Sequence, residues 1–225
     1  MSLDLVFDTI FQCSSLSNNS KGNFKNNLRV LPAITRSSHK RTLVLDLDET
    51  LVHSSEKLVS NPDATVVLSS ENNPRTLYVK FRPGLMEFLN KVLKFFELVI
   101  YTASSKEYAE QVINAFDPQR KILKYRLYRE DCIQIEGHFV KDLSRLGRDL
   151  SKIIIVDNSV TAFAYHLDNG IPIVSWFDDP NDCELHKVGT LLEKLINTHD
   201  VRPVLNSIFN LPKIIRDFKE SVMAN

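Results

Sequence analysis

The chain has 225 residues, 43% apolar and 25% charged, with 28 basic residues balancing 28 acidic ones, so one fully cored domain is affordable and bulk charge gives no pull toward nucleic acid or an anionic membrane. No apolar run approaches the about 18 residues of a membrane span, and Met1–Phe11 carries acids without the basic start of a secretory signal. Cys13, Cys132 and Cys183 are odd in number and far apart, which gives neither a disulfide framework nor a zinc pattern. The expectation is an intracellular protein, nuclear or cytoplasmic, with no membrane span and no direct nucleic-acid partner.

Residues 1–41 begin differently from the rest. Over 12–41, Ser and Asn alternate with Lys21, Lys25, Arg29, Arg36, Lys40 and Arg41 without any period, the composition of a mobile polar and basic tail. From Thr42 an alternating β/α pattern sets in. The apolar run Thr42 to Asp46 reads as a buried strand. Val66–Leu68 and Thr76–Phe81 flank the turn-rich Ser69–Pro74 and read as a hairpin inserted over about 55–79. Leu85, Phe88, Leu89, Val92 and Phe96 recur at helical spacing after Pro83-Gly84. Leu98–Tyr101 is a second buried strand. Ser104 and Glu107 fit a capping box opening a helix that runs to Ala115 and stops at Asp117-Pro118. Leu123–Tyr128 reads as a strand, and Ile133–Val140 as a pair turning at Glu136-Gly137. Ile153–Val156 and Ile171–Val174 complete the strands, and Leu185–Ile196 and Val201–Phe209 read as helices. Near-continuous Val/Ile/Leu strands separated by helices indicate a parallel sheet covered on both faces.

Three of those strands end in residues suited to chemistry. The first runs into Asp46-Leu47-Asp48-Glu49-Thr50, and alternation along a strand sends Asp46 and Asp48 to the same side. The second ends at Thr102, and the third at Asp157-Asn158. Open α/β sheets bind ligands at the carboxyl ends of their strands. Three acids, a hydroxyl and an amide therefore collect at one edge, and three carboxylates in one crevice repel one another unless a cation joins them. Hard oxygen donors favour magnesium, and Lys141 in Val140-Lys141-Asp142 would add positive charge for a phosphoryl group. A calcium loop starting at Asp46 is excluded, because Leu51 stands where it needs glycine and Lys57 where it needs a bidentate Glu.

The stretch Asp46 to Ser55 resembles the signature of the small phosphatases that act on the C-terminal domain of RNA polymerase II, members of the haloacid dehalogenase superfamily. The resemblance continues in order through Arg82-Pro83-Gly84, Tyr101-Thr102-Ala103-Ser104, Val140 to Gly147, Val156-Asp157-Asn158-Ser159 and Ser175 to Asp179, spanning about Thr42 to Leu211. It implies a haloacid dehalogenase-like fold: a central parallel sheet, helices on both faces, a small hairpin insertion and no large cap domain. It also implies a phosphatase domain over 42–211 and a C-terminal extension over 212–225.

What the resemblance implies about chemistry is specific. Asp46 would be the nucleophile that forms an aspartyl-phosphate, and Asp48 the acid and then the base. Thr102 and Lys141 would hold the phosphoryl oxygens. Magnesium would be held by Asp46, by Asp48 through its carbonyl and by Asn158, with Asp157 close by. Thr50 and Arg129 would serve substrate binding. The substrate would be a phosphoserine or phosphothreonine protein, with the polymerase tail as the type example. In the hairpin, Leu68 and Leu77 keep the apolar character of a pocket beside the phosphate, whereas Glu56, Ser70 and Ser105 align with apolar pocket positions and make it more polar. A lipid-metabolism phosphatase of the Dullard-like branch and an inactive relative serving as a protein-binding scaffold are the other readings. The intact set Asp46, Asp48, Thr102, Lys141 and Asn158 argues for catalysis.

Overall fold

The structure, a computed structural model, describes residues 31–33, 41–69, 74–135 and 137–223. Ten strands are present among them: β1 (Thr42–Leu45), β2 (Val52–Ser55), β3 (Ala64–Leu68), β4 (Arg75–Phe81), β5 (Glu97–Tyr101), β6 (Tyr125–Leu127), β7 (Ile133–Ile135), β8 (His138–Val140), β9 (Ile153–Asp157) and β10 (Gly170–Pro172). Five helices accompany them: α1 (Leu85–Val92), α2 (Lys106–Phe116), α3 (Glu184–Leu195), α4 (Val201–Phe209) and α5 (Leu211–Met223).

The main sheet runs β10-β9-β1-β5-β6, every neighbouring pair parallel. β1 is central and aligns Leu45 with Ile100 on one side and Val156 on the other. Its residues, like those of β5 and β9, are buried along their whole length, as a sheet covered on both faces requires. Successive side chains part between two apolar layers. Leu43, Leu45, Leu98, Ile100, Ile154 and Val156 pack with α1, α2, α3 and α4. Val44, Val99, Tyr101, Ile153 and Ile155 pack on the other side with Val140, Leu146, Phe163, Leu167 and the first turns of α5. Each such side chain, removed fully from water, contributes about 1.5–3 kcal/mol before the entropy of ordering it is subtracted. The expected α/β class, with helices on both faces and a small insertion, is the one observed.

Some expectations change in detail. The insertion is a three-stranded antiparallel sheet in the order β2-β4-β3, not a lone hairpin; β2 carries Val-His-Ser-Ser, too short and polar to announce itself. No capping box opens α2: its N-cap is Ser105 with no side-chain cap bond, because the Ser104 hydroxyl is engaged elsewhere and Glu107 accepts from the Ser69 N–H. A kinked pair of 3-10 turns spans Val160–Asn169, and α5 begins at Leu211, burying Leu211 and Ile215. Of the expected tail, only 31–33 and Arg41 fall among the described residues. Leu31 is buried in the second apolar layer, and the Pro32 carbonyl accepts from Arg148.

Candidate active site

The chain continues past the end of β1 still bonded to β9, since the Asp46 N–H donates to the Val156 carbonyl at 3.0 Å. It then folds into a tight turn. The Leu51 and Val52 N–H groups both reach the Leu47 carbonyl, at 2.9 and 3.1 Å, and Leu47 and Leu51 are completely buried. Glu49 takes φ 56°, a left-handed conformation that a non-glycine residue adopts at a cost of about 1–2 kcal/mol. Its N–H donates to the Val52 carbonyl at 2.7 Å, and its carbonyl accepts from the Trp176 N–H at 2.8 Å. The apolar pins and backbone bonds offset the strain and fix where Asp46 and Asp48 emerge.

A pocket of about 420 Å³ opens at this strand edge. Asp46, Asp48, Thr102, Arg129, Lys141, Asp157 and Asn158 line it together. Lys141 is completely enclosed, and its Nζ donates to Asp46 Oδ1 and to Asp157 Oδ2, both at 2.6 Å. The chain brings it there through the β7–β8 pair: Val140 is buried, and the Lys141 N–H donates to the Ala162 carbonyl. An ammonium removed from water is tolerated only when paired this closely. Burial works against its charge, but Asp157 and Asp46 more than offset that and hold it as the cation. Burial also pushes the Asp157 carboxyl above the ordinary range, with Lys141 opposing only in part and Asp46 adding to the rise.

Asp48 sits in different surroundings. Tyr108 Oη donates to its Oδ1 at 2.5 Å and Ser104 Oγ to its Oδ2 at 2.7 Å. Burial first, then the charge on Asp46, push its pKa up to about 6, against the two hydroxyl bonds. Thr102 is buried and long at 3.4 Å from Asp48 Oδ2, while its hydroxyl accepts from the Ser104 N–H at 3.0 Å. Asn158 is oriented from both ends: Nδ2 donates to Ser175 Oγ at 2.9 Å, and Oδ1 accepts from Thr50 Oγ1 at 3.3 Å.

Thr50 and Asp157 have their side-chain oxygens bonded within the protein. Thr50 is completely buried; it lies beneath the pocket as a support for Asn158, and its carbonyl accepts from Arg82. Asp157 has one oxygen on Lys141 and the other on the Ser159 N–H at 2.8 Å, so its carboxylate is spent on positioning. Arg129 is exposed at the rim, its Nε bonded to the Ala103 carbonyl and its guanidinium over the Phe139 ring at 5.2 Å. Leu68 and Leu77 line an adjoining groove of about 420 Å³ with Ser54, Arg75, Ser104, Ser105 and Tyr108, and Asp48, Glu49 and Arg129 border both spaces. Of the polar positions, Ser105 lines the groove, Glu56 pairs with Arg75 at 3.3 Å, and Ser70 lies outside the described residues. His53 meets Glu49 at 3.0 Å and Phe177 edge-on, bracing the turn. Burial pushes the Cys132 thiol up to about 11, which leaves it an inert packing group.

Sequence reasoning missed Tyr108, Ser104 as a partner of Asp48, and Arg82. Arg82 is buried and donates to Asp182 with two nitrogens at 2.7 Å, as well as to the Thr50 and Val174 carbonyls. Arg82 and Ser104 stood in matched motifs without a role of their own, and the signal for Tyr108 was a phenol within the apolar stripe Ala109, Val112 and Ile113 of α2.

The donor set fits magnesium. Two carboxylates on one ammonium leave a negative charge over, and Asp46 and Asn158 offer hard oxygens. Among the described residues no three His, Cys, Asp or Glu side chains converge as a metal-ligating group. A cation held by few protein ligands with water completing its shell is the usual magnesium arrangement.

A parallel sheet with acids, a buried lysine and an amide at its carboxyl edge defines a haloacid dehalogenase-like domain. The model of the NLI interacting factor-like phosphatases matches residues 41–202, and the chain belongs to that family. It is 48% identical over 185 residues to CTD small phosphatase-like protein 2 of Dictyostelium discoideum, an alignment covering 82% of this chain and 32% of that protein. Against CTD small phosphatase-like protein 3 of Caenorhabditis elegans it is 47% identical over 182 residues, 80% of this chain and 63% of the relative. The Homo sapiens CTD small phosphatase-like protein is 43% identical over 182 residues, 80% and 66% of the two chains. The chain thus spans about a third to two-thirds of these relatives. In fold it is similar to Fcp1, described as an essential RNA polymerase II CTD phosphatase, at TM-score 0.64 and 19% identity over 75% of this chain and 70% of that one.

Proposed function

We propose that this domain is a magnesium-dependent phosphoprotein serine/threonine phosphatase working through an aspartyl-phosphate on Asp46. The observation that carries the reading is Lys141, enclosed at 2.6 Å from both Asp46 and Asp157, beside an Asp48 held by hydroxyls alone. Asp46, the Asp48 carbonyl and Asn158 would hold the magnesium, whose chemistry there is to neutralise phosphoryl charge.

In the first step an Asp46 oxygen attacks phosphorus, the bond from phosphorus to the serine or threonine oxygen breaks, and Asp48 gives that oxygen its proton. Lys141 Nζ, bonded to Asp46 Oδ1 at 2.6 Å, would with the Thr102 hydroxyl meet charge on the phosphoryl oxygens. In the second step Asp48 takes a proton from water, the water oxygen bonds to phosphorus, and the bond to Asp46 breaks. Relatives named for the CTD make the RNA polymerase II tail the first substrate to try. A phosphoprotein substrate suits an open pocket bordered by an equally large groove. The site of action would be nuclear or cytoplasmic.

Asp46→Asn is expected to lower turnover of a phosphoserine peptide about a thousandfold or more while leaving the circular-dichroism spectrum unchanged. Wild type quenched in acid during turnover of a radiolabelled phosphopeptide should retain label that hydroxylamine releases. Full turnover by the variant removes the nucleophile assignment. A folded wild type that turns over nothing with magnesium present favours the scaffold reading.

A further inference from the structure

Asp48 must aim a proton at one particular oxygen, yet a carboxyl on a turn has two torsions free to wander. Here both of its oxygens are tied to α2 and the turn before it. Tyr108 Oη lies 2.5 Å from Oδ1, and Ser104 Oγ lies 2.7 Å from Oδ2. The phenol is itself held, since Ser54 Oγ on β2 stands 2.6 Å from it. A phenol has one proton. With Asp48 accepting, that proton points at Asp48, and the Ser54 hydroxyl must donate to Tyr108. Tyr108 is buried on the same helix face as Ala109, Val112 and Ile113, so the ring is fixed by the core before the hydroxyl is used.

We propose that Tyr108 is a positioning residue for Asp48, with Ser54 orienting the phenol and Ser104 securing the second carboxyl oxygen. This inference rests on the reading of Asp48 as the acid that protonates the leaving oxygen. Tyr108 touches neither phosphorus nor the leaving group in this role; it keeps the Asp48 carboxyl at one aim. A loosened carboxyl transfers its proton less often in the correct geometry, a loss that grows with the need for the proton.

That dependence gives the test. The kcat/KM of small phosphate monoesters stops at phosphoryl transfer to Asp46, and without a peptide the adjoining groove is not engaged. Alkyl and phenyl phosphates have leaving oxygens that need a proton, whereas p-nitrophenolate departs unaided. Tyr108→Phe keeps the ring and removes the phenol. It should lower kcat/KM about tenfold for phenyl and alkyl phosphates and less than about threefold for p-nitrophenyl phosphate, steepening the dependence on leaving-group basicity. Ser54→Ala, which removes only the donor to the phenol, should steepen it in the same direction by less, and it keeps the test open if Tyr108→Phe does not fold. Equal losses across the ester series in the folded variant overturn the proposal, as does an unchanged slope. A wild type silent on every ester fails the phosphatase reading first and takes this proposal with it.

Discussion

Asp46 and Asp48 share a strand end, but a lysine ammonium faces the first at 2.6 Å while the second receives two hydroxyls. The difference decides their chemistry. A cation at bonding distance stabilises a carboxylate and suits a nucleophile, whereas hydroxyls can hold a carboxyl while leaving it able to gain and lose a proton. Burial and the neighbouring Asp46 place the Asp48 pKa at about 6, so its acid form is complete well below that pH and drains away above it. The first step needs the acid form. The kcat/KM for a phosphoserine peptide, divided by that for p-nitrophenyl phosphate, should therefore be flat below about 5 and fall about tenfold per pH unit above about 7. Taking the ratio largely cancels the ionisation of the substrate phosphate, which also lies near 6. A ratio independent of pH between 5 and 8 would count against Asp48 as the acid.

The groove between the β3–β4 pair and the start of α2 is the element-scale counterpart of the phosphate pocket. Leu68 and Leu77 form its apolar wall, but Arg75, Ser104, Ser105 and Tyr108 line the same space. A proline seated there would lose the contacts a fully apolar pocket supplies, each worth on the order of 1 kcal/mol. In a panel of phosphoserine peptides differing only in the residue after the phosphoserine, proline should change kcat/KM by less than about fivefold relative to alanine; a larger preference would show that the leucines dominate the groove. The elements themselves divide by how local their causes are. β1, β5 and β9 were legible because both of their faces are buried, which leaves an unbroken apolar run. β2 was not, since His53, Ser54 and Ser55 pair with β4 without being apolar. The motif Val140-Lys141-Asp142 pointed to Lys141, but its two carboxylate partners stand just past β1 and at the end of β9. A phenol in the apolar stripe of α2 was the only hint of Tyr108, and it did not point to Asp48, because that partner lies 60 residues away in sequence and the ring looks like any core aromatic. The capping box failed for the converse reason: Ser104 has the right spacing, but a distant carboxylate claims its hydroxyl.

Across the whole molecule the pocket depends on segments far apart in sequence, and Arg82 joins three of them. From the start of the turn before α1 its guanidinium reaches the Thr50 carbonyl in the acidic turn, the Val174 carbonyl after β10 and both oxygens of Asp182 ahead of α3. The Arg82 side chain is fully enclosed and Asp182 is 11% exposed, so water cannot replace what is lost. The guanidinium in turn holds the Asp182 carboxyl below its ordinary pKa. Arg82→Met preserves much of the buried volume but strands a carboxylate and two carbonyls. It should cost about 3–5 kcal/mol in urea unfolding, the range for breaking a buried ion pair from one side. Lys91→Met is the control, because its pair with Glu193 is exposed at 32% and 47% and should shift stability by no more than about 1 kcal/mol. Replacing both Arg82 and Asp182, as Arg82→Met with Asp182→Leu, removes the stranded charge along with its partner. The double variant should therefore recover part of the loss while the Thr50 and Val174 carbonyls stay unpaired. If Arg82→Met unfolds at the same urea concentration as Lys91→Met, the guanidinium is not what fastens the acidic turn to the strands around it.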